Sequence, residues 1–264
     1  MFVDNDKLKY YERYYFANSE PVPFKVKDND YIIHIKPVTV KMYPFYQDNI
    51  NILLIDKNRI GNVEIIQMSY LQYLTDVVLQ QKEYQQALLT ILSLSIGDEY
   101  KYLIGHNDNG KPYLAISQDE NILCKITPKE FDKISEIILF YNDRQFDNRY
   151  LSEDMRKAME EYYSIKFKDS YMPTLEEKKA FVSFKSGLTL NEINDLAYRY
   201  FDLMYNTCID NDMFFSQKII QASEKYKVND NEIVYPLFKK KNDKFDFMKD
   251  ASQFEKKLQM AAKG

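Results

Sequence analysis

The stretch that decides the fold is Ile126-Thr127-Pro128-Lys129-Glu130-Phe131. A threonine followed three residues later by a glutamate forms a capping box, in which each side chain bonds the other residue's backbone N–H. Proline suits the first helical position, and the flanking Ile126 and Phe131 have the spacing of a hydrophobic staple. These six residues therefore predict the start of a helix, at the point where mixed strand and helix patterns give way to helical patterns alone.

The same start signal occurs twice more downstream. Thr174-Leu175-Glu176-Glu177 is the second capping box, and Thr189-Leu190-Asn191-Glu192 is the third. Leu188 and Ile193 are the staple residues that accompany the third box. Because three such boxes lie in one half of the chain, residues 126–264 are predicted to be an all-helical bundle.

Two other segments of this half are also predicted to be helical. Ser152 can cap a helix that begins at Glu153. The stretch Leu196–Tyr205 is too apolar for a surface helix with one narrow buried stripe. It is therefore either the central helix of the bundle or partly a face that binds a partner, and the sequence leaves both interpretations open.

Two β-hairpins are predicted upstream of residue 125, each from two strand-like runs around a polar turn. The paired runs are Phe24–Lys27 with Tyr31–Lys36, and Tyr100–Ile104 with Tyr113–Ile116. The second turn contains Asn109-Gly110, a dipeptide typical of tight hairpin turns. His34 is expected to play a structural part on one face of its strand.

Helices are predicted between and beside these hairpins, at Met42–Ile55, at Tyr70–Leu74 with Ser69 as the cap, and at Tyr84–Leu94. The predicted fold class is therefore α+β. A mixed α/β part with two short hairpins covers residues 1–125. A helical part covers residues 126–264, and residues 235–264 form its C-terminal arm.

The composition is that of an ordinary globular protein. Of the 264 residues, 45% are hydrophobic and 29% are charged, which argues against disorder. No apolar run approaches the roughly 20 residues that span a bilayer. The first residues, Met1 to Asp6, have neither the basic start nor the apolar core of a secretory signal. We therefore expect a cytoplasmic protein without a membrane partner.

The sequence contains no recognisable catalytic or cofactor motif. The six glycines form neither a Walker A loop nor a dinucleotide-binding run. His34 and His106 fall in a strand and a turn, and Cys124 and Cys208 are expected to be buried free thiols. Residues 105–110 resemble a calcium loop but lack its closing acid. We predict no catalytic, cofactor-binding or metal-binding residues and no enzyme, although chemistry by paired carboxylates alone stays open.

One fragment resembles a helix-turn-helix. Leu175–Lys185, the following turn and the helix from Leu190 have its arrangement. However, the second helix opens with Asn191, Glu192, Asn194 and Asp195, and the chain carries a net charge of −4. Phosphate contacts need basic residues, so an ordinary helical hairpin is the favoured interpretation and a nucleic-acid partner is not expected.

The C-terminal arm places aromatic residues around a basic cluster, Lys239-Lys240-Lys241. Such a segment suits an exposed element that binds a partner. The alternative is an arm folded back onto its own core. The candidate partner-binding residues are Tyr235, Leu237, Phe238, Phe245, Phe247 and Met248.

Four runs of sequence are distributed over most of the chain: Ile33–Tyr43, Leu54–Asn58, Met68–Leu74 and the late segment from Phe201 through Tyr226. Together they resemble a family of proteins of tailed phages and prophages of Gram-positive hosts, which tend to be encoded among tail and baseplate morphogenesis genes. None of the runs is a catalytic or ligand motif, so the resemblance transfers no functional residues.

The resemblance implies a non-enzymatic, chaperone-like assembly factor that binds a structural protein of the tail or baseplate. Two alternatives remain at this point: a permanent minor structural protein of the virion, and a nucleic-acid-binding regulator that uses the helix-turn-helix-like fragment. The expected location is the cytoplasm of the host cell, or the virion for the first alternative.

Overall fold

The computed structural model describes residues 5–143, 161–162 and 172–222. Two small antiparallel sheets and a set of helices make up this part of the chain, so the predicted α+β class is confirmed. The chain divides into two compact units, Met1–Tyr205 and Asn206–Gly264. The division predicted near residue 125 stays a prediction.

The first sheet is the predicted hairpin. Strand β1 (Val22–Lys25) pairs antiparallel with β2 (Ile32–Ile35), with Val22 opposite Ile35. Side chains alternate between core and solvent along both strands, as expected for a sheet with one covered face. His34 lies on the exposed face.

The second sheet is larger than predicted. Its strands are β3 (Lys101–His106), β4 (Pro112–Gln118) and β5 (Asn121–Ile126), in the order β3-β4-β5. The predicted hairpin is β3 with β4, and β5 was not predicted. The β4–β5 turn places Asp119 and Glu120 at φ values of 47° and 68°. Asn or Gly usually occupies such positions, so Asp119 and Glu120 do not predict a turn there.

Five helices precede the second sheet: α1 (Asn5–Tyr11), α2 (Tyr43–Asn49), α3 (Val63–Gln67), α4 (Tyr70–Tyr73) and α5 (Lys82–Ser95). One-turn π-helical segments follow α1 and α4, and a 3-10 turn follows α2. The Ser69 hydroxyl accepts a hydrogen bond from the Gln72 N–H at 3.1 Å, which confirms the predicted cap of α4.

Helix α6 (Pro128–Asn142) begins where the first capping box predicts. Glu130 Oε2 accepts hydrogen bonds from the backbone N–H and the hydroxyl of Thr127, at 2.9 and 2.7 Å. Its other oxygen accepts the Lys27 N–H at 2.9 Å, which ties the end of the first hairpin to α6. Burial alone would raise the pKa of Glu130, but these hydrogen bonds outweigh it, and the pKa ends below its ordinary value.

The main core lies between α6, α5, α4 and the two sheets. Its members come from Tyr11 to Tyr141 along the chain. Its largest fully buried side chains are Phe131, Tyr141, Ile35, Ile52, Leu71, Leu74, Leu88, Ile91, Leu92, Ile96 and Leu114.

Three helices follow among residues 172–222: α7 (Leu175–Ser186), α8 (Leu190–Asp195) and α9 (Tyr198–Ala222). Both remaining capping boxes are confirmed, because Glu177 and Glu192 each accept the cap threonine's N–H at 2.8 Å. Helices α7 and α8 form a helical hairpin around Gly187, whose φ is 77°.

A small cluster, separate from the main core, holds these helices. Its buried members are Val40, Val182, Ile193 and Phe201. The staple residue Leu188 packs against it, as predicted. The backbone also joins the segments: the Val40 N–H donates to Leu196 O at 2.9 Å, and the Tyr198 N–H donates to Val38 O at 2.8 Å.

One predicted boundary is wrong. The apolar run from Leu196 is not helical at its start, because Ala197 forms an antiparallel bridge with Thr39. Helix α9 begins at Tyr198, and Phe201 is its one buried residue within the described part of the chain. Among residues 5–143, 161–162 and 172–222, no helix has both the length and the hydrophobicity that crossing a membrane requires.

Candidate functional site

The candidate partner-binding residues predicted from the sequence, namely Tyr235, Leu237, Phe238, Phe245, Phe247 and Met248, lie outside the described residues. The helix predicted at Glu153 lies outside them too. Both therefore stay predictions. Within the described part of the first unit, a different feature has the geometry of a binding site.

This feature is an apolar groove between α5 and strand β3, with a volume of about 380 Å³. We call it the β3 groove. Leucine and isoleucine side chains dominate its lining. The residues that line it are Thr75, Leu79, Gln80, Gln85, Leu88, Leu89, Leu92, Tyr102, Leu103, Ile104, His106 and Leu114.

Helix α5 supplies one wall of the groove. Its residues Leu88 and Leu92 are buried, while Leu89 remains 42% exposed. The start of β3 is fixed to the end of this helix by Tyr102, whose hydroxyl donates to Gly97 O at 2.6 Å and lies 3.2 Å from Leu92 O. The buried contacts of the Tyr102 hydroxyl therefore set the distance between the two walls, and the side chains that line the groove do not.

Strand β3 supplies the other wall, and it is an edge strand. It pairs with β4 along its full length, and within the described residues it has no second strand partner. Leu103 is 53% exposed and Ile104 is 36% exposed. An edge strand presents a row of unpaired backbone N–H and C=O groups, so this one combines open hydrogen-bonding groups with exposed apolar side chains.

The opposite edge of the same sheet differs from β3. Strand β5 also exposes an apolar side chain, since Ile122 is 52% exposed. However, the side-chain amide of Asn29 donates to Leu123 O, so part of the β5 edge is already occupied by the first hairpin. Of the two edges, β3 is therefore the more open to an added strand.

The end of the groove at His106 is polar. Nε2 of His106 lies 3.7 Å from Oδ1 of Asp76, which follows α4 in the π-helical turn. Both side chains are partly exposed. The rest of the groove is lined mainly by leucine and isoleucine side chains.

A buried acid lies elsewhere in the first unit. Burial raises the pKa of Asp132 to about 6, an effect that Lys57 opposes and Glu136 reinforces. Oδ1 of Asp132 has no hydrogen-bond partner. A carboxyl group with such a pKa suits general acid–base chemistry, but Asp132 does not line the β3 groove.

The remaining residues singled out from the sequence occupy structural positions. Cys124 is a buried thiol, as predicted, and burial raises its pKa to about 11. Cys208 is half-buried, contrary to the expectation that it would be buried. In the described ranges, no group of three or more His, Cys, Asp or Glu side chains is arranged to hold a metal ion. The second helix of the helix-turn-helix-like fragment, α8, has only six residues.

The groove residues were missed by sequence reasoning. Leu89, Leu103 and Ile104 belong to segments that were correctly predicted as helix and strand, but no local signal distinguishes an apolar residue at an open edge from one in the core.

In the comparisons with known proteins, no family model, no curated protein and no solved structure matches the chain significantly.

Proposed function

We propose that this protein is a non-enzymatic assembly factor for a phage tail or baseplate, and that it holds an extended segment of a structural partner in the β3 groove. The observation that carries the proposal is the pairing of an open edge strand with an apolar groove beside it. The resemblance of the sequence to phage tail morphogenesis proteins supplies the class of partner.

The physical reason lies in how extended segments bind to sheets. A segment that adds to an edge strand gains backbone hydrogen bonds, and its alternate side chains enter pockets on one face. Beside β3, those side chains would meet Leu89 and Ile104 in the groove. A tail protein that is not yet assembled exposes strand edges and apolar surface that need temporary cover.

The proposal is tested by co-expression of this chain with the tail and baseplate proteins encoded beside it. We expect a soluble complex that co-purifies. Leu103→Lys should abolish it, because a lysine on an edge strand opposes the addition of another strand. If the wild-type chain stays monodisperse and retains none of these proteins, the proposal fails.

A matched control is available on the opposite edge of the sheet. Ile122→Lys introduces the same charge at a residue of nearly equal exposure, 52% against 53% for Leu103. Both variants should fold, since both side chains are exposed. We expect Ile122→Lys to retain the partner, and equal loss in both variants would argue against the β3 groove as the site.

Two alternatives are separated by other measurements. A permanent virion protein would be found in purified particles in fixed copy number by mass spectrometry, whereas an assembly factor would be absent from them. A nucleic-acid-binding regulator would give a salt-sensitive mobility shift. The first turn of α8 is acidic, which opposes contact with DNA. Its Ile193 is buried, so α8 is not a free recognition helix.

A further inference from the structure

A second cleft adjoins the polar end of the β3 groove. It lies between the β3–β4 loop and the start of α6, and its larger part has a volume of about 600 Å³. We call it the lysine cleft, because Lys27, Lys111, Lys129 and Lys133 line this part.

The lysine cleft and the β3 groove both border His106. A smaller part of the cleft, of about 490 Å³, shares Lys27, Asn107, Tyr113 and Thr127 with the larger part. It also shares His106 with the β3 groove. His106 is therefore the point at which a bound segment could pass from the groove to the cleft.

The charge of the cleft is opposite to that of the chain. Its larger part is lined by four lysines and one acid, Glu130, whereas the whole chain carries a net charge of −4. Both oxygens of Glu130 already accept hydrogen bonds, from Thr127 and from Lys27. In the smaller part, Asp28 and Asp108 face Lys27 and Lys125, and the Lys125 ammonium lies 5.0 Å from the centre of the Tyr113 ring.

The attraction of the cleft for an anionic group comes from its lysine side chains. At the N-terminus of α6, the Glu130 carboxylate already accepts the Thr127 N–H. No carboxylate lies within ion-pairing distance of Lys111, Lys129 or Lys133 among the described residues. Within the described residues, these three exposed lysines of the cleft lining therefore have no acidic partner.

We propose that the lysine cleft receives acidic side chains of the same partner segment whose apolar residues occupy the β3 groove. This inference rests on the proposed function and specifies the partner: its segment joins a run of acidic residues to an alternating apolar stretch. Opposite charges across an interface fix the register of the two chains as well as speeding their encounter.

The direction of β3 also gives the order of the acidic run and the apolar stretch along the partner segment. Strand β3 runs toward His106, and the lysine cleft lies beyond that end. The whole sheet is antiparallel, and antiparallel pairing is the slightly more stable kind. A segment added antiparallel to β3 would place the residues that precede its apolar stretch in the cleft, so the acidic run comes first.

The experiment uses the purified full chain and three labelled synthetic peptides. One is an alternating valine–threonine peptide long enough to pair with the six residues of β3. The second carries a run of glutamates before this stretch, and the third carries glutamines there instead. Fluorescence anisotropy at low and high salt gives the affinity of each peptide.

We expect the glutamate peptide to bind most tightly, with an advantage that disappears at high salt. The double variant Lys129→Gln/Lys133→Gln should weaken it roughly five- to tenfold at low salt, since exposed ion pairs contribute modestly. The same variant should leave the other two peptides unchanged. A control variant, Lys7→Gln/Lys9→Gln, removes two exposed lysines of α1 that do not line the cleft and should have no effect.

The outcomes separate this inference from the proposed function. If the valine–threonine peptide binds and Leu103→Lys abolishes its binding, the groove is supported. If the glutamates then add no affinity, or the lysine variant does not reduce it, the inference is overturned while the groove stands. If none of the peptides binds, the groove fails as well. A single-stranded oligonucleotide that binds with the same lysine dependence, while the glutamate peptide does not, would overturn the inference in favour of nucleic acid.

Discussion

The main core draws residues from Tyr11 to Tyr141, whereas the small cluster joins Val40 to three residues between positions 182 and 201. In the main core, strands and helices distant in sequence cover one another. In the small cluster, two short helices with their own capping boxes pack on one strand-like segment. The first region depends on an extensive buried core, and the second depends on four buried side chains, local helix starts and a few backbone links.

This difference indicates how stability should be distributed. Short helices are marginal in isolation, so α7 and α8 depend on the small cluster to stay folded. Regions with few buried apolar contacts open locally before the rest of a protein unfolds. We therefore expect the small cluster to open at a lower free energy than the main core.

The largest effect is expected from Phe131→Ala in the main core. Phe131 is fully buried, and removing such a ring costs about 3–5 kcal/mol through lost burial and a residual cavity. Urea denaturation followed by circular dichroism should show this loss in one global transition. A loss below about 1 kcal/mol would mean that the site collapses around the cavity and that the main core is not tightly packed.

A smaller and more local effect is expected from Phe201→Ala in the small cluster. We expect a loss of about 3 kcal/mol in the local stability of α7 and α8, at the low end for a buried phenylalanine, because few residues surround it. Hydrogen exchange should accelerate in those helices and remain slow in α5. If α5 loses the same protection, the two regions unfold as one cooperative unit and the contrast between them is wrong.

The smallest effect concerns Asp132 of α6, whose Oδ1 is buried without a hydrogen-bond partner. Because the pKa of Asp132 is raised to about 6 in the folded protein, the folded state holds this proton over a range where the unfolded chain has lost it. The stabilisation by protonation is present below about pH 4 and is lost as the pH rises through about 6. Asp132→Asn should therefore stabilise the protein by about 2 kcal/mol at pH 7 and flatten this dependence.

Thermal unfolding of both proteins from about pH 4 to pH 8 measures this effect. The wild-type protein should lose stability relative to the variant as the pH rises, with most of the change complete slightly above pH 6. Parallel profiles for the two proteins would show that Asp132 titrates in the folded state as it does in the unfolded chain.

Local chemistry accounts for the parts of the fold that were predicted from the sequence. The capping boxes at Thr127, Thr174 and Thr189 involve residues three positions apart, so their hydrogen bonds form wherever the helix forms. The first hairpin and the β3–β4 pair also follow from neighbouring strand-like runs. Strand β5 was missed because its turn uses Asp119 and Glu120 in a conformation that those residue types seldom signal.

The start of α9 was missed for a different reason. Leu196 and Ala197 are apolar and lie in a run with helical character, but Leu196 O accepts the Val40 N–H and the Tyr198 N–H donates to Val38 O, far away in the sequence. Because an N–H that donates to a distant carbonyl does not close a helical turn, the helix begins only at Tyr198. No property of the run itself contains this information.

The three capped helix starts, the α+β class and the two predicted hairpins were determined by the sequence itself, because each depends on residues a few positions apart. The tertiary structure alone decided which apolar residues became groove and which became core. Leu88 and Leu89 are adjacent and chemically identical, yet one is buried and the other lies partly open beside an edge strand. Exposure depends on what the rest of the chain covers, and that follows only from the packing of all the elements together.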